Sequence, residues 1–219
     1  MFSTRRLFEY GGIAASLILI GFGITAIVLG LSGRSTVQTN LRQEQIVGTP
    51  DMTPSAIKAE AAQAKLPSSI KLPTCSVAGK PVTNGGRARC FAQYMRIHAL
   101  EASGGYVYAQ MGRYQALPNT PASELAKGGG TDNPKYAVTD PKTKQPVANG
   151  TRNVWVTETA LATALNTSYM AERLSLFSMV VGIALLLSGI GFAVLTIGGA
   201  LRRASQAGAA PARAPAATS

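Results

Sequence analysis

The chain has 219 residues, with 21 Lys and Arg against 10 Asp and Glu and a formal net charge of +11. That length suits one or two domains. The basic residues are spread along the chain with no cluster or aromatic platform, so the charge does not read as nucleic-acid contact.

Residues 1–9 form a short basic head containing Arg5 and Arg6, and residues 10–33 carry no charge. A helix needs about 20 apolar residues to cross a bilayer, so this run is read as transmembrane helix 1. It exceeds the apolar core of a cleaved signal and lacks a small-residue cleavage site after it, which favours an uncleaved anchor. Val37 and Leu41 sit four apart in the polar stretch that follows, and this spacing carries the helix beyond the span. Gly48, Thr49 and Pro50 stop it. Thr53-Pro54 reads as an N-cap followed by Pro at the first helical position, opening a helix to about Lys65.

Leu66 to Gly86 is irregular, with three prolines and the pair Gly85-Gly86. Residues 87–102 read as a helix whose stripe holds Phe91, Tyr94, Met95 and His98. Tyr106–Tyr114 is ambiguous between helix and strand. Residues 115–151, rich in Pro, Gly, Asn and Lys, are expected to be an exposed, mobile loop. Arg152 to Arg173 is helical in pattern and runs into a second uncharged stretch, 174–201, read as transmembrane helix 2. An Ala/Pro-rich tail, 202–219, is expected to be disordered and cytoplasmic. The expected fold is therefore all-α: a two-span transmembrane hairpin with stalk helices, carrying a small helical extracytoplasmic domain over 34–173.

Five terminal arginines, Arg5, Arg6, Arg202, Arg203 and Arg213, outnumber Arg34, Arg42 and Arg173 on the loop side. The positive-inside rule then places both termini in the cytoplasm of a plasma-membrane protein. Cys75 and Cys90, the only cysteines, both fall in the segment assigned outside, and a pair there reads as a disulfide. Small residues recur at four-residue spacing in the spans, among them Gly12 and Ser16, Ala26 and Gly30, Ser178 and Gly182, and Gly189 and Ala193. Such spacing permits close helix approach.

Signals for chemistry are sparse. His98 and Glu101 are three apart on a helix, a spacing open to metal binding or acid–base work. The simpler reading is a packed histidine beside a surface glutamate, because no second histidine exists. No catalytic residue, cofactor or metal is expected. The glycine-rich pieces lack the spacing of phosphate-binding loops, and the absence of ionisable residues from the spans argues against a transporter. Asn149 and Asn166 match the glycosylation pattern, which arises often by chance. The expected function is non-enzymatic: an accessory or scaffolding subunit of a bacterial envelope complex, with the bilayer and another membrane protein or a second copy as partners. A sensor or ligand-binding module acting through a partner is the first alternative, and an enzyme using the outer domain the second.

Overall fold

The computed structural model describes residues 4–197, with side chains from Tyr10 onward. The tail expected over 202–219, the end of the second span and the terminal arginines lie outside the described side chains. Four α-helices are present: α1 (Thr4–Gln43), α2 (Pro54–Gln63), α3 (Gly85–Ala102) and α4 (Gly150–Ile197). Short 3-10 turns lie between α3 and α4 at Tyr108–Gln110, Ala122–Glu124 and Pro134–Tyr136. The described residues divide into two compact units. Those up to Arg34 and from Leu174 form one, and Ser35–Arg173 forms the other. Both α1 and α4 contribute to each.

The first unit is a pair of apolar helices. α1 and α4 are each long and apolar enough to cross a membrane. Only 11% and 17% of their most apolar stretches are buried, whereas a core helix of a soluble protein would be mostly covered. Leu17, Phe22, Leu29, Phe177, Leu187 and Val194 all face outward. Small residues line the contact between the helices. A Cβ on Gly23 would lie 2.7 Å from the Leu186 amide nitrogen, and one on Gly182 would lie 2.8 Å from the Gly23 carbonyl. The Ser16 hydroxyl donates to the Gly189 carbonyl at 2.9 Å and Ser178 to the Ala26 carbonyl at 2.8 Å. These contacts pair the helices by close backbone approach and interhelical hydrogen bonds. Gly11, Gly21 and Gly191 meet open space and take no part.

The second unit is built around α3. One apolar cluster joins Met52, Ile57, Val77, Cys90, Tyr94, Ile97, Leu100 and Trp155. Another joins Leu41, Val82, Ala88, Ala92 and Leu165, and the half-buried Phe91 packs against both. The stripe expected from the sequence, Phe91, Tyr94, Met95 and His98, is therefore corrected. Only Tyr94 of these is fully buried, because α3 is covered on two sides and its burial centres on Tyr94, Ile97 and Ala88. The helix also begins at Gly85 rather than 87. The Asn84 side chain caps it by accepting from the Arg87 amide at 2.9 Å. A Cβ on Gly85 would come within 2.7 Å of the Tyr169 backbone, so glycine is needed there for contact rather than to break the helix. The Glu172 carboxylate of α4 accepts from the Gly85 amide at 2.7 Å.

Cys75 and Cys90 form the expected disulfide. The Tyr94 hydroxyl donates to the Cys75 carbonyl at 2.6 Å, fixing the same irregular segment a second time. α1 ends at Gln43, ahead of the Gly48-Thr49-Pro50 stop, because Gln45 turns the chain with φ 52°. The Thr53 hydroxyl accepts from the Ala56 amide at 3.2 Å, the N-cap that Thr53-Pro54 announces.

Residues 108–149 contain neither a long helix nor a strand. They fold on themselves through isolated bridges that pair Tyr114 with Thr131 and Ala148, Ala116 with Ala137, and Thr139 with Pro146. Prolines remove ladder donors and keep these pairings short. Asn149 closes the segment. Its amide donates to the Gly112 carbonyl at 3.0 Å, and its side-chain oxygen accepts from the Thr151 amide at 3.1 Å at the start of α4. The loop expected over 115–151 thus ends inside a helix, whose first residues are Gly150 and Thr151.

Candidate functional site

Four titratable side chains gather in the second unit from three separate elements. Asp51 stands in the turn that precedes α2, where the Met52 amide donates to the Thr49 carbonyl at 3.1 Å. Met52 is buried, which holds that turn against the core. On α2, Ile57 and Ala61 are buried, so Glu60 lies at the margin of the buried face. On α3, Ile97 and Leu100 are buried, and His98 and Glu101 follow each of them by one position at the matching margin. α2 packs on α3, and this packing brings the margins together.

The His98 Nε2 lies 2.9 Å from Asp51 Oδ2 and 3.8 Å from Glu60 Oε2. These three side chains remain about one-third exposed. The Nε2 atom itself is enclosed, and the Asp51 carboxylate is its nearest polar neighbour. Glu101 Oε1 is enclosed and unpartnered as well. Asp51 is held below the usual carboxylate range, first by a hydrogen bond from the Thr49 side chain, against burial and with help from His98. Glu101 moves the other way. Burial pushes its carboxyl up, the charges of Glu60 and Asp51 push further, and His98 opposes them.

The sequence reading of Glu101 as a surface glutamate is thereby corrected. Glu101 is half-buried, and its carboxyl belongs to a shared electrostatic cluster with His98. Asp51 and Glu60 were missed, because each comes from a different element and no short motif links them to His98. The one available signal was position: Glu60 and Glu101 each stand at the edge of an apolar stripe. Asp51, Glu60 and His98 each offer one ligand atom, all within 4.8 Å of one another. The set can share protons or coordinate a divalent cation.

A second feature of this unit is an open groove of about 660 Å³. Its lining includes Ile70, Leu72, Ile97 and Val107, with Lys71 and Arg96 also present. Arg96 stacks on the Trp155 ring at 5.5 Å. No protein-family model, curated protein or solved structure matches this chain.

Proposed function

We propose that the chain is a two-span plasma-membrane protein with both termini in the cytoplasm and Ser35–Arg173 outside. In this reading it serves, without catalysis of its own, as an accessory or scaffolding subunit of an envelope complex. The observation that carries the membrane assignment is the outward display of large apolar side chains along both helices of the first unit, where packing between the helices uses small residues instead. In water, an apolar surface of that extent would drive aggregation. In a bilayer it is the solvent-facing side. Support for an outer location of the second unit comes from the disulfide, which is favoured in an oxidising compartment. A scaffolding role is supported by a domain pinned at Cys75–Cys90 and Tyr94, with a groove in reach of a partner's side chains.

Purification of the full chain from its native membrane, after mild crosslinking, tests this role. A stoichiometric membrane-protein partner is expected. Recovery of the chain alone would contradict it. That outcome would favour the second reading, a ligand-binding sensor module, which the clustered Asp51, Glu60, His98 and Glu101 support.

A further inference from the structure

We propose that Asp51, Glu60 and His98 bind a divalent first-row transition-metal ion, with Glu101 beside them as a third carboxylate. This inference stands apart from the accessory-subunit reading, since a metal could serve structure, sensing or partner contact alike.

Three observations carry it. The first is geometry. Metal–ligand bonds of about 2.0–2.2 Å set neighbouring ligand atoms roughly 3–4 Å apart. The separations of 2.9 Å and 3.8 Å from His98 Nε2 lie at about that spacing, and all three ligand atoms lie within 4.8 Å of one another. The ligands come from a turn, α2 and α3, so the packing of those elements fixes them in three dimensions.

The second is charge. One imidazolium can balance only one of three carboxylates. Among the described residues, no lysine or arginine pairs with Asp51, Glu60 or Glu101, and the charges acting on Glu101 are those of His98, Glu60 and Asp51 alone. A divalent ion together with neutral His98 offsets this excess. Binding would release the proton from His98 Nε2 when it is protonated, because the metal takes that lone pair.

The third is that Glu101 Oε1 is enclosed without a hydrogen-bond partner, while the enclosed His98 Nε2 has only the Asp51 and Glu60 carboxylates near it. Buried polar atoms are almost always satisfied, and those that are not point to a bound water or ion. One is a nitrogen and the other a carboxylate oxygen, the two donor types this site would use. The side chains are exposed enough for an ion to enter from solvent.

The imidazole directs the choice of metal. Carboxylates alone suit Ca²⁺ and Mg²⁺, while an imidazole donor favours Zn²⁺ or Fe²⁺, and a mixed imidazole–carboxylate set also admits Mn²⁺. Both cysteines are consumed by the disulfide, so no thiolate competes for the ion.

The test uses the full chain in detergent, stripped with chelator and carried on a tag free of histidine, because His98 is its only histidine. Zn²⁺ and Mn²⁺ are titrated by calorimetry, with Ca²⁺ as comparison. About one Zn²⁺ or Mn²⁺ per chain is expected, with an affinity that falls at least roughly tenfold in both Asp51→Asn and His98→Ala. Ca²⁺ should bind more weakly than either. Co²⁺ added to the unaltered chain gives a second reading that needs no variant, and a visible spectrum distinct from aqueous Co²⁺ is expected. The inference is overturned if the parent binds no stoichiometric ion, if a folded variant binds as tightly as the parent, or if the Co²⁺ spectrum matches that of the free ion.

Discussion

Removing the Cys75–Cys90 bond tests how the second unit is held. The bond joins residues 15 apart. Closing a loop of that length lowers the entropy of the unfolded chain by an amount worth about 3 kcal/mol. Anchoring the ends of this unit in α1 and α4 constrains the segment as a whole, but it does little to a loop this short. In Cys75→Ala/Cys90→Ala, truncating the buried Cys90 adds about 0.8 kcal/mol, the scale of one buried methylene. The expected loss is therefore about 4 kcal/mol, set against about 5–15 kcal/mol for a typical domain. Trp155 is the only tryptophan and belongs to the same apolar cluster, so its fluorescence during urea unfolding in mild detergent reports this unit. Reductant acting on the unaltered chain removes the cross-link without truncating a side chain, and about 3 kcal/mol should be lost. A loss under about 1 kcal/mol in both experiments would refute the argument. It would mean that the turn around Cys75 is ordered by its packing alone.

Other perturbations separate the remaining contacts. Gly23→Leu should split the paired apolar helices at a cost of about 1–3 kcal/mol, because any side chain there meets the Leu186 backbone. Gly21→Leu faces open space and should leave thermal stability in detergent unchanged. Tyr94→Phe removes the hydroxyl that donates to the Cys75 carbonyl and should cost about 1 kcal/mol, read from the Trp155 urea midpoint. Ile57→Ala empties a fully buried site on α2 and should cost about 2–5 kcal/mol by the same readout. Glu101 has a raised folded-state pKa, so the folded chain binds its proton more tightly than the unfolded chain does. That contribution is present below the unfolded value and is lost as pH rises through the folded one. Without metal, Glu101→Gln should therefore be the more stable form at neutral pH, with the difference shrinking on acidification. Equal stability across a pH series would contradict the burial of that carboxyl.

Much of the fold was legible because its signals are local. Charge-free runs announced the two long apolar helices, and Thr53-Pro54 announced the start of α2. The pairing of the helices was visible only as an option. Four-residue spacing is satisfied by Gly11 and Ala15 as well as by Gly12 and Ser16, and nothing in sequence says which face meets a neighbour. Ser16 does so, while Gly11 meets open space. The Gly85-Gly86 pair misled for a related reason. A glycine that permits close contact with Tyr169 looks the same as one that breaks a helix. The candidate site was the least legible part. His98 and Glu101 share a helix, but Asp51 and Glu60 reach them only through the packing of α2 on α3, a long-range consequence of Ile57 and Ile97 being buried. The segment 108–149 hid its pairings because prolines and glycines give a loop composition even where backbone groups find each other.

The central claim is that two helices cross the plasma membrane and leave Ser35–Arg173 outside. Its most direct test is protease treatment of intact cells expressing the full chain with a tag at each end, followed by alkaline washing of the membranes. The account predicts that the chain stays in the washed pellet, that 35–173 is cut from outside, and that both tags survive until the membrane is broken. Release into the wash, or loss of the tags from intact cells while 35–173 stays whole, would contradict it.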